Sequence, residues 1–289
     1  MTCFADRRSI ELDGVPRFEI MVHVDTDMFI SESILRHGTW EPCETRLVVK
    51  LLQAETDFLD LGANIGWYTI IAAKVLSGRG NVHAFEPDPT NFSLLMKNIS
   101  INSISNSTCN NVGASDHASG ARLFLDTKNK GDHRLYDSVD GRDSLPVRTI
   151  LIDAYDGIDR SRALIVKIDT QGSEVHILRG MKNLIDNHPK EIVLICEFWP
   201  FGLTKNGTSA AELIRLISDA GFEPFMIGET SLIETDWQLL RARAEGDLAP
   251  STGRHADFVA FRNGMEMKYL VADMIHPNFG STLEPVAAR

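Results

Sequence analysis

The sequence predicts an α/β protein in which helices flank a mostly parallel sheet. Three observations carry that expectation. Short apolar runs alternate with amphipathic helical stretches through the middle of the chain. Gly- or Pro-containing turns punctuate them. Carboxylates stand at the ends of several apolar runs, where a parallel sheet gathers its ligand-binding edge.

Residues 57–61 (DFLDL) read as the first strand, followed by a Gly-rich turn and a helix over Trp67–Leu76. Residues 81–85 (NVHAF) form the second, and Pro87 after Glu86 makes its continuation difficult. A helix over 88–101 follows, with Phe92, Leu95, Met96 and Ile99 spaced for one buried face. A third strand lies near 107–114, and Ala163–Ile168 (ALIVKI) makes a fourth before a short helix over 173–181. Residues 191–198 (EIVLICEF) are the fifth, and a helix over 209–220 is closed by Gly221 in the left-handed cap position. Residues 222–227 and 257–262 supply the last two, giving seven strands. The polar stretch 120–148 reads as a hairpin or mobile loop. Three regions follow: an N-terminal extension (1–50) packing on the core, the α/β domain (51–263) and a C-terminal tail (264–289).

The 289 residues include 29 Lys or Arg and 40 Asp or Glu, a net charge of −11. That balance disfavours a sequence-independent grip on nucleic acid, which needs cations to neutralise phosphates. The first residues lack the apolar stretch of a secretory signal, and no segment is apolar enough for a bilayer span. The four cysteines are scattered without a C-x-x-C pair, so the expectation is a cytoplasmic protein with neither a disulfide framework nor a metal centre. Asp126, Asp132 and Asp137 offer ion-ligating carboxylates, but spaced acidic loops generally face solvent.

The turn Asp60-Leu-Gly62-Ala-Asn64-Ile-Gly66 joins the first strand to a helix. Glycines permit a tight turn and close backbone approach, and the helix start favours an anionic group. As G-x-N-x-G it departs from the dinucleotide fingerprint G-x-G-x-x-G. Glu86 follows Gly66 by 20 residues, where a carboxylate can accept hydrogen bonds from ribose hydroxyls. With Asp60 and Asp169 it forms an acidic sheet edge whose self-repulsion a cationic ligand relieves and a phosphorylated one worsens. S-adenosylmethionine has the cations and the ribose diol and lacks phosphate.

The blocks DFLDLGANIGWYTIIAAKVL, VHAFEPDPTNFSLLMKNI, VGASD and VKIDTQGSEVHILRGM resemble the FkbM-type S-adenosylmethionine-dependent methyltransferases over residues 38–228. Gln171 stands where that pattern most often has Glu. The resemblance implies a Rossmann-like class I methyltransferase fold with an antiparallel last strand. It also implies methyl transfer to a hydroxyl of a sugar, glycan or secondary metabolite. By resemblance and geometry together, Asp60, Gly62, Asn64 and Gly66 hold the methionine half of the cofactor. Glu86 takes the ribose, Pro87 fixes the chain direction there, and residues from Val112 to Asp116 bracket the adenine.

Three residues are candidates for the base that removes the acceptor proton. Asp169 ends the fourth strand, though it can equally cap the following helix. His133 lies in the polar loop and has a suitable unperturbed pKa. Glu197 ends the fifth strand before Phe198 and Trp199, whose rings could line an acceptor pocket. Glu41 either closes over the cofactor or caps a helix over 44–53. Two other readings stay open: a cofactor-binding module without turnover, and an NAD-dependent oxidoreductase on a similar sheet.

Overall fold

The computed structural model describes residues 5–24, 26–52 and 55–276. Cys3, the end of the expected 44–53 helix and the tail beyond residue 276 lie outside them.

The chain opens with an antiparallel hairpin, β1 (Ala5–Leu12) and β2 (Val15–His23), then helices α1 (Ile30–His37) and α2 (Pro42–Leu51). The β-α-β core follows: β3 (Thr56–Leu61), α3 (Trp67–Leu76), β4 (Val82–Phe85), α4 (Pro89–Ile101) and β5 (Ser107–Asn110). After β6 (Gly113–Ala114), β7 (Gly120–Phe124) and β8 (Ser144–Ile150) the core resumes with β9 (Ala163–Ile168), α5 (Glu174–Gly180) and α6 (Lys182–Asn187). Then come β10 (Ile192–Phe198), α7 (Pro200–Lys205), α8 (Ala210–Asp219) and β11 (Glu223–Ile227). Last are β12 (Leu232–Glu234), α9 (Trp237–Glu245), β13 (Ala256–Arg262), α10 (Met265–Leu270) and β14 (Ile275–His276).

The central sheet runs β14-β12-β11-β13-β10-β9-β3-β4-β5. From β10 to β5 every pairing is parallel, and β13 runs antiparallel between β10 and β11. The seven expected strands are therefore present in class I methyltransferase order, with DFVAFR within the antiparallel one. Two short edge strands, β12 and β14, extend the sheet beyond the expected seven. β3, β9 and β10 are buried along almost their whole lengths, as strands covered on both faces must be.

Local expectations and structure part in three places. The run 107–114 breaks into β5 and β6, and β6 leaves the central sheet to pair with β8. The polar stretch 120–148 folds as the β7–β8 hairpin, and the long loop between these strands bends back through a Phe124–Arg134 bridge. On α4 the buried face is rotated: Met96 is exposed, whereas Asn91, Asn98 and Leu94 are buried. The reason is the hairpin. Asn98 Oδ1 accepts from Met21 N (2.7 Å), its Nδ2 donates to Met21 O and Ile65 O, and Asn102 bonds both backbone groups of Glu19. Two asparagines thus complete the open edge of β2, an arrangement that apolar periodicity does not report.

Candidate active site

The ends of β3, β4 and β9 and the turns after them converge on two adjoining cavities. The first is a cleft of about 530 Å³, counting the space open to solvent, and is walled by Leu61, Phe85, Pro87, Gly113, Leu123 and Leu135, with Glu86, Asn64, Asn91 and Asp169 among its polar groups. The second, about 450 Å³, is lined by Ile30, Trp40, Trp67 and Tyr68 around Asp60, Lys167 and Asp169. Gly62, Asn64, Gly131 and Asp169 border both, so the cavities meet at the β3 turn and the end of β9.

That junction has strained backbone. Asn64 (φ 50°) and Gln171 (φ 55°) are non-glycine residues in the left-handed region, a conformation that persists only where its surroundings enforce it. Asn64 is held through Asn64 N to Glu86 Oε2 (2.8 Å) and Asn64 Nδ2 to Lys130 O (3.0 Å). Gly62 has φ 95°, and a Cβ there would lie 2.1 Å from Asp169 O, so no larger residue lets the two turns approach.

Glu86 is buried at the end of β4, and its other oxygen accepts from Asp88 N (2.8 Å). Burial raises its carboxyl from 4.5 to about 8. Asp60 faces the second cavity and accepts from Thr69 Oγ1 (2.6 Å), with burial lifting it to about 6. Asp169 Oδ1 accepts from Gln171 Nε2 (2.9 Å) and Oδ2 from Lys167 Nζ (3.3 Å). Asp88 caps α4, accepting from Thr90 N and Asn91 N.

The expected site residues divide. Asp60, Gly62, Asn64, Glu86, Pro87, Asp169 and His133 border the cavities. Gly66 instead turns the chain into α3 beneath Leu95, and Val112 packs in the core. In their place Gly113 and Ala114 face the first cavity. Asp116 points away, in ion pairs with His117, His176 and Arg179 that hold its carboxyl well below the usual range despite partial burial. Glu197 lies behind Gln171, which donates to it at 3.2 Å, and does not line either cavity. Phe198 meets Phe258 edge-to-face in the core and Trp199 lies under the Arg134 guanidinium, so neither ring faces the junction.

His133 borders the first cavity with its ring engaged on both nitrogens' sides. Its Nδ1 accepts from Asp126 N (3.0 Å), which puts the ring proton on Nε2, 3.7 Å from Asp88 Oδ2. Burial lowers its pKa to about 4. The Nδ1 lone pair is thus engaged by the loop, which ties His133 to the strap 125–143. Asp126 and Asp132 are tied to Arg142 in that strap. Among the described residues no cluster has the ligand set of a metal site. Glu41 starts α2 with φ 44° and accepts from Tyr68 OH (2.9 Å), at the edge of the second cavity.

A model of the methyltransferase FkbM domain matches residues 60–224. The chain belongs to the FkbM methyltransferase family. It is accordingly an S-adenosylmethionine-dependent methyltransferase domain, and the donor set suits that cofactor: buried carboxylates and apolar walls, with no cluster of cations for phosphates. The methyltransferase is 28% identical over 190 residues to the hexuronic acid methyltransferase AglP of Haloferax volcanii, covering 60% of this chain and 67% of that one. Among solved structures it is similar to the methyltransferase FkbM of Methylobacillus flagellatus, at 18% identity and TM-score 0.41, covering 71% of this chain but 43% of that one. It is also similar to the Pyrococcus abyssi tRNA (uracil-54, C5)-methyltransferase, at 14% identity and TM-score 0.42, covering 88% of this chain and 44% of that one. The methyltransferase thus spans less than half the length of either of those two structures. Among the described residues no helix is long and apolar enough to cross a membrane.

Sequence reasoning missed Lys167, Asn91 and the strap residues Lys130 and Gly131, and gave no role to Gln171; all of them line a cavity. Lys167 left a signal: a lone charge inside ALIVKI must be buried and therefore paired.

Proposed function

We propose that this methyltransferase methylates an oxygen of a sugar acid, with a hydroxyl as the acceptor. The first cavity would take the adenosyl group, Glu86 accepting from the ribose hydroxyls, Pro87 directing the chain past it, and Gly113 and Ala114 backing the base. Asp60, Gly62 and Asn64 would face the methionine half. The bound cofactor supplies a methyl group made electrophilic by its sulfonium. The protein's main contribution is orientation, which is worth up to about 7–11 kcal/mol of barrier when two reactants are held in line.

The observation that carries the reading is the position of Asp169. It borders both cavities, with its carboxylate steered by Gln171 and Lys167. Asp169 would accept the hydroxyl proton as the new O–C bond forms. The similarity to a hexuronic acid methyltransferase supports a sugar acid as the acceptor class. A second reading has support in the same contacts. Both Asp169 oxygens already accept hydrogen bonds, and an acceptor carboxylate oxygen needs no base.

The test is incubation with methyl-labelled S-adenosylmethionine and a panel of glucuronate, galacturonate and their neutral parent sugars. An alkali-stable methyl ether on an acid sugar supports the first reading, and an alkali-labile ester the second. Transfer to neither class, with turnover on a nitrogen or carbon acceptor, would overturn both.

A further inference from the structure

Lys167 sits in the apolar run of β9, and its side chain is only 6% exposed. Its ammonium lies 2.8 Å from Glu44 Oε1 and 3.3 Å from Asp169 Oδ2, with Nζ 4.7 Å from the centre of the Tyr68 ring. A buried ion pair is generally no more stabilising than apolar residues of the same volume. An ammonium kept here is not explained by stability alone. It also borders an open cavity, whereas a purely structural pair would be sealed.

Among the described residues, acidic side chains outnumber the ammonium in and beside that cavity. Glu44, Asp60 and Asp169 surround one ammonium, and Glu41 stands at the start of the same helix as Glu44. Burial raises the Glu44 carboxyl to about 7 and that of Asp60 to about 6, so their negative charge is costly there and a cation beside it would be stabilised. Lysine has three N–H donors, of which Asp169 takes one, while Glu44 Oε1 lies at ion-pair distance. A zwitterion bearing an ammonium and a carboxylate on one carbon matches this set: carboxylates for the first, a spare ammonium donor for the second.

We infer that Lys167 binds the α-carboxylate at the amino-acid end of the cofactor, with Asp60 facing its α-ammonium. The inference rests on the adenosyl group occupying the first cavity, since the shared border at Gly62, Asn64 and Gly131 then leads the amino-acid end into the second. Glu44 is a positioning residue that holds the Lys167 ammonium at the cavity floor.

Calorimetric titration of the full chain with S-adenosylhomocysteine and with 5′-methylthioadenosine, which lacks the amino-acid end, tests it. The wild type should bind the former at least roughly 30-fold more tightly, the scale of one or two charge-assisted hydrogen bonds. Lys167→Met should lose about tenfold or more for S-adenosylhomocysteine and leave 5′-methylthioadenosine within about threefold. Lys167→Arg should retain part of the preference. Equal losses for both ligands, or a wild type that binds both alike, would overturn the inference. If Lys167→Met does not fold, the wild-type ratio and the arginine variant decide alone. A wild type that binds neither ligand would overturn the cofactor reading of the first cavity, and this inference with it.

Discussion

Glu86→Gln removes a charge from the first cavity and keeps its shape. In the empty protein burial holds the Glu86 carboxyl near 8, so it carries a proton through the neutral range. A ribose that donates to it favours the ionised form, and binding then releases the proton. The wild-type affinity should therefore rise with pH up to about 8 and level off above it, changing about tenfold per unit below that point. From pH 9 down to pH 6.5 the loss is about 30-fold. Gln has no proton to lose, and its affinity should be flat. Hydrogen bonds to a charged group contribute about 1.5–3 kcal/mol against about 0.5–1.5 for neutral pairs. Two such bonds put the variant about 30- to 150-fold below wild type at pH 9, with the two converging at pH 6.5. Calorimetry with 5′-methylthioadenosine reads this directly, because that ligand has the diol and no group titrating between these pH values. A pH-independent wild type, with the variant within threefold of it at pH 9, would refute the ribose assignment.

Three other outcomes can be measured. Lys167→Met should lower stability by about 3–5 kcal/mol in urea denaturation at pH 8, because it strands the Glu44 carboxylate. At pH 6 the loss should shrink, since a carboxyl already raised to about 7 beside the ammonium takes up a proton without it. Asn98→Ala leaves the Met21 and Ile65 backbone groups without their partner, and equilibrium unfolding should show about 2–4 kcal/mol of destabilisation. With an accepted sugar acid as substrate, Asp169→Asn should lower kcat about 10²- to 10⁴-fold if a hydroxyl is methylated, and His133→Gln less than about fivefold. An unchanged Asp169→Asn rate would point to the carboxylate acceptor, and a His133-dependent limb near pH 6.5 would contradict the committed Nδ1 lone pair.

The central strands β3, β9 and β10 were legible because they are buried along almost their whole lengths and so read as mainly apolar runs; ALIVKI is an example, matched residue for residue. The cofactor edge was legible because turn glycines and strand-end carboxylates are local signals. What failed was information that passes between elements. Met96 has helical spacing with Ile99, yet the buried face of α4 follows Asn98 and Asn102, whose partners lie some 80 positions away in β2. Asp116 and Glu197 each follow or end an apolar strand, as Glu86 does, but His176 and Arg179 claim the first and Gln171 stands in front of the second. Proximity in sequence to a strand end says which edge a side chain reaches, not whether a neighbour has already taken it.

The charge of the site argues for the same ligand from another direction. Cavity-lining carboxylates at Glu86, Asp60 and Asp169 face two lysines, and one of these, Lys167, is already paired with Glu44 and Asp169. Lys130 reaches only the Asp126 carbonyl, at 3.5 Å, from a strap whose backbone is pinned by Asn64 and Asn91. A phosphorylated nucleotide in these cavities would set its anionic oxygens beside Asp169 with one cation for relief. A sulfonium nucleoside brings its positive charge to the border that Asp169 shares with both cavities. The net −11 of the chain is spread over many solvent-facing side chains and would be screened within about 10 Å at ordinary ionic strength. The few buried carboxylates are screened far less. Selection among nucleosides is therefore a property of those three residues, and exchanging surface acids for neutral residues should leave cofactor affinity unchanged while Asp60→Asn lowers it.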